Sequence, residues 1–183
     1  VRVIEPFQML GEVDPELLEV IGIDVVGALG KNNMFGVYNH APYKEMITNW
    51  GQKVLVPSGF NTTRDEKGDM LVFPEGDITV EPSARMPETG YFFDAIIRQE
   101  PLGEAEPDVN DNLEEFGLVS DRDLEFWKES TQNARATGRA VIAGLGGTAL
   151  GDIALVPGVQ LKHPKGIRDV AEWYMSTITR PDY

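Results

Sequence analysis

The sequence contains no cysteine. It can therefore form neither a disulfide framework nor a thiolate zinc site within this chain. Histidine is also scarce, because only His40 and His163 are present. Neither has a carboxylate or another histidine at the spacing of helical metal ligands, and no serine lies in a nucleophile-elbow pattern. The residues predict neither a metal site nor a catalytic triad in this chain.

Basic residues are few: sixteen lysines and arginines face thirty acidic residues, for a net charge of −14. Nucleic acids and anionic membranes both bind positive surfaces, so we expect neither as a partner. Long apolar runs and a signal peptide are missing too, which favours a cytoplasmic protein. The 183 residues suffice for a single domain over 1–183. Sequence typical of ordered structure begins directly at Val1 and continues almost to Tyr183. We therefore expect this chain to be a fragment of a longer polypeptide.

The N-terminal part has an α/β pattern. Asp14 and Pro15 are typical of a helix start, and Gly22 of its end. The apolar run 23–29 then predicts a buried strand that ends at Gly30. Asn32 and Asn33 follow that strand, where α/β folds bind ligands, but they are equally typical of a turn.

The sequence pattern changes at Trp50, where short strands replace the alternation of helix and strand. The segments 52–57 and 69–74 are predicted to be two strands that pair as a β-hairpin, with a turn at Lys67 and Gly68. We interpret the region 50–80 as a hairpin inserted into the α/β pattern.

The second half begins with an acidic run. Residues 100–115 hold seven carboxylates and no basic residue, which is typical of a solvated connecting segment. Ser120 to Asp123 resembles a capping box and predicts a helix that ends near Gly138. Apolar residues from Ile167 to Ile178 predict a last helix.

A glycine-rich stretch from Val141 to Asp152 is the most distinctive local feature. Residues 141–143 predict a buried strand, and Thr148 could cap a helix running to Leu155. Gly144, Gly146 and Gly147 leave room for a ligand at the strand end. The stretch lacks the lysine of a phosphate-binding loop, and Ala149 replaces the third glycine of the dinucleotide pattern. It therefore predicts either a tight turn or the floor of a small-molecule pocket.

Three segments together resemble the uroporphyrinogen decarboxylase superfamily, in its methyltransferase-like branch. They are the helix-into-strand segment 16–26, the segment 48–52 with its Trp-Gly pair, and the glycine-rich segment 143–151. The resemblance spans nearly the whole chain. It implies an α/β fold in the form of a partial TIM (β/α)8 barrel, with the hairpin inserted, that binds ligands at the C-terminal ends of its strands.

The resemblance implies two activities. One is cofactor-free decarboxylation of porphyrinogens. The other is methyl transfer between a corrinoid protein and a thiol, assisted by zinc. The arginine-containing segment of the decarboxylases is absent, and Gly30 and Lys31 stand where their strand ends in Ser-Asp. The methyltransferase is therefore favoured.

In that reading this chain is the N-terminal portion of the enzyme and is inactive alone. It holds no cofactor itself, while zinc and a corrinoid belong to the full-length parent. Its partners would be a small-molecule substrate, a corrinoid protein, and further copies of the truncated chain. The pocket walls would be Asn32, Asn33, Trp50, Tyr91, Gly144, Gly146 and Gly147. A decarboxylase-like lyase and a non-catalytic binding module are the alternatives.

Overall fold

The computed structural model describes residues 1–100, 102, 107–144, 153 and 155–183. Within them the chain forms three α-helices and ten short strands. The helices are α1 (Pro15–Ile21), α2 (Asp121–Arg135) and α3 (Val170–Thr179). The strands are β1 (Val3–Glu5), β2 (Leu10–Gly11), β3 (Val25–Ala28), β4 (Tyr43–Ile47), β5 (Lys53–Pro57), β6 (Thr62–Arg64), β7 (Met70–Val72), β8 (Ala84–Met86), β9 (Asp94–Ala95) and β10 (Ala140–Ala143).

The strands form small and mostly antiparallel sheets, so the predicted TIM barrel is wrong. The pairs β1–β2 and β4–β5 and the four-stranded sheet β6–β7–β8–β9 are all antiparallel, and β3 pairs with β10 in parallel. A parallel pair needs a crossover connection, usually a helix. Strands β4 to β9 follow one another through turns and loops without an α-helix. The described residues therefore form no barrel-like parallel β/α arrangement.

The two strands predicted to form an inserted hairpin do not pair with each other. β5 pairs with β4, in a register that joins Tyr43 to Pro57 and Ile47 to Lys53. β7 lies between β6 and β8. The turn predicted at Lys67 and Gly68 is present, but it connects β6 to β7. Strand pairing depends on partners elsewhere in the chain, and the two apolar runs alone did not reveal them.

The hydrophobic core lies in this antiparallel part of the molecule. Phe35, Phe60 and Phe93 are fully buried, and the Phe35 ring centroid lies 5.8 Å from each of the other two. Buried side chains from β1, β5, β7 and β8 pack around these rings. The region interpreted as an insertion thus supplies a large part of the core, including Phe60 and the buried residues of β5 and β7.

The predicted α/β unit is present, but it is only partly covered. Asp14 caps α1, whose C-cap Gly22 has a φ of 75°, and Ser120 caps α2, as the sequence predicted. α2 directly precedes β10 in the chain and lies against both β3 and β10. Among the described residues nothing covers the Ile142 side chain on the other face of this two-stranded sheet, since Ile142 is 67 % exposed. The prediction that residues 141–143 form a buried strand is therefore right about the strand and wrong about its burial.

The end of the acidic run is not the solvated connection that its composition predicts. Glu114 and Glu115 accept hydrogen bonds from Arg168, which is only 1 % exposed. Arg168 also donates to the carbonyl oxygens of Asp111 and Lys165. This arginine joins the segment before α2 to the segment before α3. The helix α3 itself forms as the sequence predicted.

Candidate functional site

Polar and aromatic side chains come together just beyond the C-terminal end of β3. We call Gly30, Lys31, Tyr38, His40, Asp123, Phe126 and Trp127 the strand-end cluster. Its backbone is held from α2, because the Ser130 hydroxyl donates to the Leu29 carbonyl at 3.0 Å. It is also held from the following loop, where the Asn39 amide donates to the Lys31 carbonyl at 2.9 Å. These bonds fix the strand end in position.

His40 is bound through one ring nitrogen. Its Nε2 lies 3.2 Å from the Gly30 carbonyl oxygen. A carbonyl oxygen only accepts, so Nε2 carries the hydrogen of this bond. In the neutral ring, Nδ1 is then the unprotonated nitrogen, able to accept a hydrogen bond or a proton.

Aromatic rings surround this histidine. The His40 ring centroid lies 5.3 Å from that of Tyr38 and 5.0 Å from that of Phe126, which meets it edge-on. The ring of Trp127 approaches the Gly30 backbone, where an added Cβ would lie 3.8 Å from its Cη2. The histidine is therefore oriented by its neighbours, with apolar surface on two sides.

An ion pair closes one side of the cluster. Lys31 Nζ donates to Asp123 Oδ1 at 2.5 Å, and Asp123 also accepts from the Ser120 hydroxyl. The hydrogen bond from Lys31, followed by that from Ser120, lowers the pKa of Asp123 below its ordinary value. Asp123 is thus a carboxylate at neutral pH and neutralises Lys31.

The two predicted asparagines differ in role. Asn32 is exposed and forms an antiparallel bridge with Tyr38. Asn33 is a turn residue: its Oδ1 accepts from the Phe35 amide at 3.0 Å and the Val37 amide at 3.3 Å. This turn directs Phe35 into the core, and only Asn32 offers its side chain at the surface.

Trp50 and Tyr91 lie together in a second place. Their ring centroids are 5.2 Å apart, and the Trp50 indole nitrogen donates to Gln52. Asn49 binds the Pro87 carbonyl beneath them at 2.8 Å. The contacts of this pair join the β4–β5 turn to the loop between β8 and β9, outside the strand-end cluster.

Of the three glycines predicted to line the pocket, only Gly144 belongs to the described residues. Gly144 directly follows β10, is exposed, and has no atom within 4 Å of an added Cβ. Because Ala143 pairs with Ala28, Gly144 leaves the sheet at the same end as Leu29. Gly146, Gly147 and most of the helix predicted from Thr148 lie outside the described residues.

The sequence carries no specific signal for a role of His40 and none that connects Lys31 with Asp123. The capping box pointed to Asp123 only as a helix-start residue. Lys31 lies 92 positions earlier, so no local pattern could link the two. His40 is ten positions from Gly30 and reaches it because the loop 31–39 returns to the strand end.

In the part of the chain that the structure describes, no three side chains of histidine, aspartate or glutamate are grouped so that they could hold a metal ion. The helices of that part include none long and apolar enough to cross a membrane. No family model, curated protein or solved structure matches this chain.

Proposed function

We propose that this chain is the N-terminal portion of a uroporphyrinogen-decarboxylase-like methyltransferase, and that its strand-end cluster binds the thiol that accepts the methyl group. The segments 16–26, 48–52 and 143–151 support the family assignment through their sequence resemblance alone, since the described residues do not form the barrel that this resemblance implies. The position of His40 supports the site, because its Nδ1 faces no protein hydrogen-bond partner among the described residues. Ligands of α/β units bind at this end of the parallel strands.

In this proposal His40 accepts the proton that the thiol loses, which leaves the thiolate as the nucleophile. Tyr38 and Phe126 limit the water around the imidazole, and the paired Lys31 and Asp123 keep the local charge near zero. The described residues do not fit a zinc site, so no step through zinc is assigned to this chain. A corrinoid carried by a partner protein would supply the methyl group. The acidic charge of the chain supports the proposed cytoplasmic location, since it disfavours binding to anionic lipid.

The experiment follows both histidines by NMR while 2-mercaptoethanol is added, with methylcobalamin as the methyl donor in a parallel rate assay. We expect the thiol to shift the His40 resonances and leave those of His163 unchanged. His40→Gln should remove the shift and lower any methyl-transfer rate about a hundredfold, the usual contribution of a general base. His163→Gln is the matched control and should behave as the parent. A thiol that shifts neither histidine would overturn the proposal.

A non-catalytic binding module is the second candidate, and the strand-end hydrogen bonds favour it. Lys31 and Asp123 bind each other, and one nitrogen of His40 binds Gly30. Much of the polar capacity of the cluster is therefore used in holding the fold. A shift at His40 with no methyl transfer, even when the chain is joined to its remaining polypeptide, would support this candidate.

A further inference from the structure

A cavity lies beside α3, on different residues from the strand-end cluster. It has a volume of about 410 Å³ and lies between α3, the helical turn Val109–Leu113 and the residues after α3. Small-molecule pockets are typically about 300–1,000 Å³ and mostly apolar. Val109, Leu113, Trp173 and Pro181 supply apolar walls here.

Side-chain hydrogen bonds fix the wall segments relative to one another. Asn112 makes two hydrogen bonds with the backbone of Ile167, both at 3.0 Å. The Asn112 Nδ2 donates to the Ile167 carbonyl oxygen, and the Ile167 backbone amide donates to Asn112 Oδ1. Tyr183 donates its hydroxyl to the same Oδ1. Burial, followed by the nearby Asp111, raises the pKa of Tyr183, so this donor stays protonated at neutral pH. The cavity is thus formed before any ligand enters it.

One polar group in the wall has no partner. Ser176 lies in α3 and is 2 % exposed, and its Oγ makes no hydrogen bond with any residue that the structure describes. Serine inside a helix commonly donates to the carbonyl four residues earlier, but this hydroxyl does not. A buried hydroxyl without a partner is unfavourable, and a ligand oxygen in the cavity would satisfy it.

We propose that this cavity binds a small aromatic molecule that carries one hydroxyl group. The ring lies against Trp173, and the ligand hydroxyl exchanges a hydrogen bond with Ser176. The proposal stands on the cavity and the unpartnered serine, and it does not depend on methyl transfer.

Phenol and toluene are the probes, because they have nearly the same shape and differ in the hydroxyl. The protein is labelled with 5-fluorotryptophan, which gives one fluorine signal for each of its three tryptophans. We expect phenol to shift the Trp173 signal in a saturable manner and to leave Trp50 and Trp127 unchanged. Toluene should bind at the same signal more weakly.

Ser176→Ala tests the hydrogen bond, and alanine is well tolerated inside a helix. It should weaken phenol binding about fivefold, as expected for one neutral hydrogen bond, and leave toluene binding unchanged. Ser83→Ala is the matched control, since Ser83 is also fully buried without a side-chain partner but lies beside the core strand β8. It should affect neither ligand.

Two results would overturn the proposal. One is the lack of a saturable shift at Trp173. The other is a phenol affinity that Ser176→Ala leaves unchanged, or lowers to the same extent as it lowers the affinity for toluene.

Discussion

Gly76 lies in a turn where its backbone and its surroundings both demand glycine. Its φ is 72°, and an added Cβ would lie only 1.9 Å from the Gly59 carbonyl oxygen. Its own carbonyl accepts from Asn61 Nδ2 at 2.7 Å, which fixes the turn against the neighbouring segment. Gly51 offers a contrast, with a φ of 82° and no atom within 4 Å of an added Cβ.

We predict that Gly76→Ala destabilises the fold much more than Gly51→Ala. Alanine at Gly51 should cost about 1 kcal/mol, the cost of a left-handed backbone alone. At Gly76 the clash with backbone adds an overpacking penalty, for about 3 kcal/mol or more in total. Urea unfolding of both variants measures the difference. Equal losses would mean that the backbone near Gly59 moves aside.

At the scale of elements, Arg168 joins two segments that are distant in sequence. Its guanidinium meets Glu114 and Glu115 at 3.0 Å each. Burying these charges is costly by itself, so the group is stable only while every partner is present. The acidic run is therefore part of the fold at its C-terminal end.

We predict that Arg168→Met lowers the free energy of unfolding by about 3–5 kcal/mol, because it leaves two carboxylates without their cation. Lys128→Met is the control: Lys128 and Glu125 form an exposed ion pair on α2, and such pairs contribute at most about 1 kcal/mol. Chemical denaturation checks both variants. A loss at Arg168 no larger than that at Lys128 would refute the structural role of the network.

At the scale of the whole molecule, burial is uneven. The antiparallel part encloses the core, whereas the β3–β10 sheet is covered on one face by α2 and, among the described residues, exposes apolar side chains on the other. Val25 of β3 and Ile142 of β10 lie on this second face of the sheet and are 36 % and 67 % exposed. Open sheets with exposed apolar side chains favour association with further chains. If copies of this chain associate, as the sequence led us to expect, this face is where we expect the contact.

We predict concentration-dependent association of the parent chain in sedimentation velocity. Ile142→Lys should shift it towards monomer, because a charge cannot be buried in the contact without cost. Ile78→Lys is the control, since Ile78 is 57 % exposed but lies outside the parallel sheet. A parent chain that stays monomeric at high concentration, or equal effects of the two substitutions, would contradict this surface.

Local features of the structure followed from the sequence by itself. Asp14 and Ser120 begin helices and Gly22 ends one. A helical stripe of apolar residues placed α3, and short apolar runs placed β3 and β10, although neither strand is buried as predicted. These signals act within a few residues through backbone capping and hydrophobic periodicity, so no distant partner is needed to read them. The lack of cysteine likewise excluded disulfides directly.

Only the tertiary structure decided the strand partners and the composition of the sites. The pairing of β5 with β4, the binding of Arg168 to Glu114 and Glu115, and the approach of His40 to Gly30 all join residues separated along the chain. Short strands with similar apolar patterns are compatible with several pairings, and the choice depends on which pairing buries the phenylalanine core. The barrel expectation failed for this reason, since local α/β signals in one part of the chain do not determine how the remainder pairs.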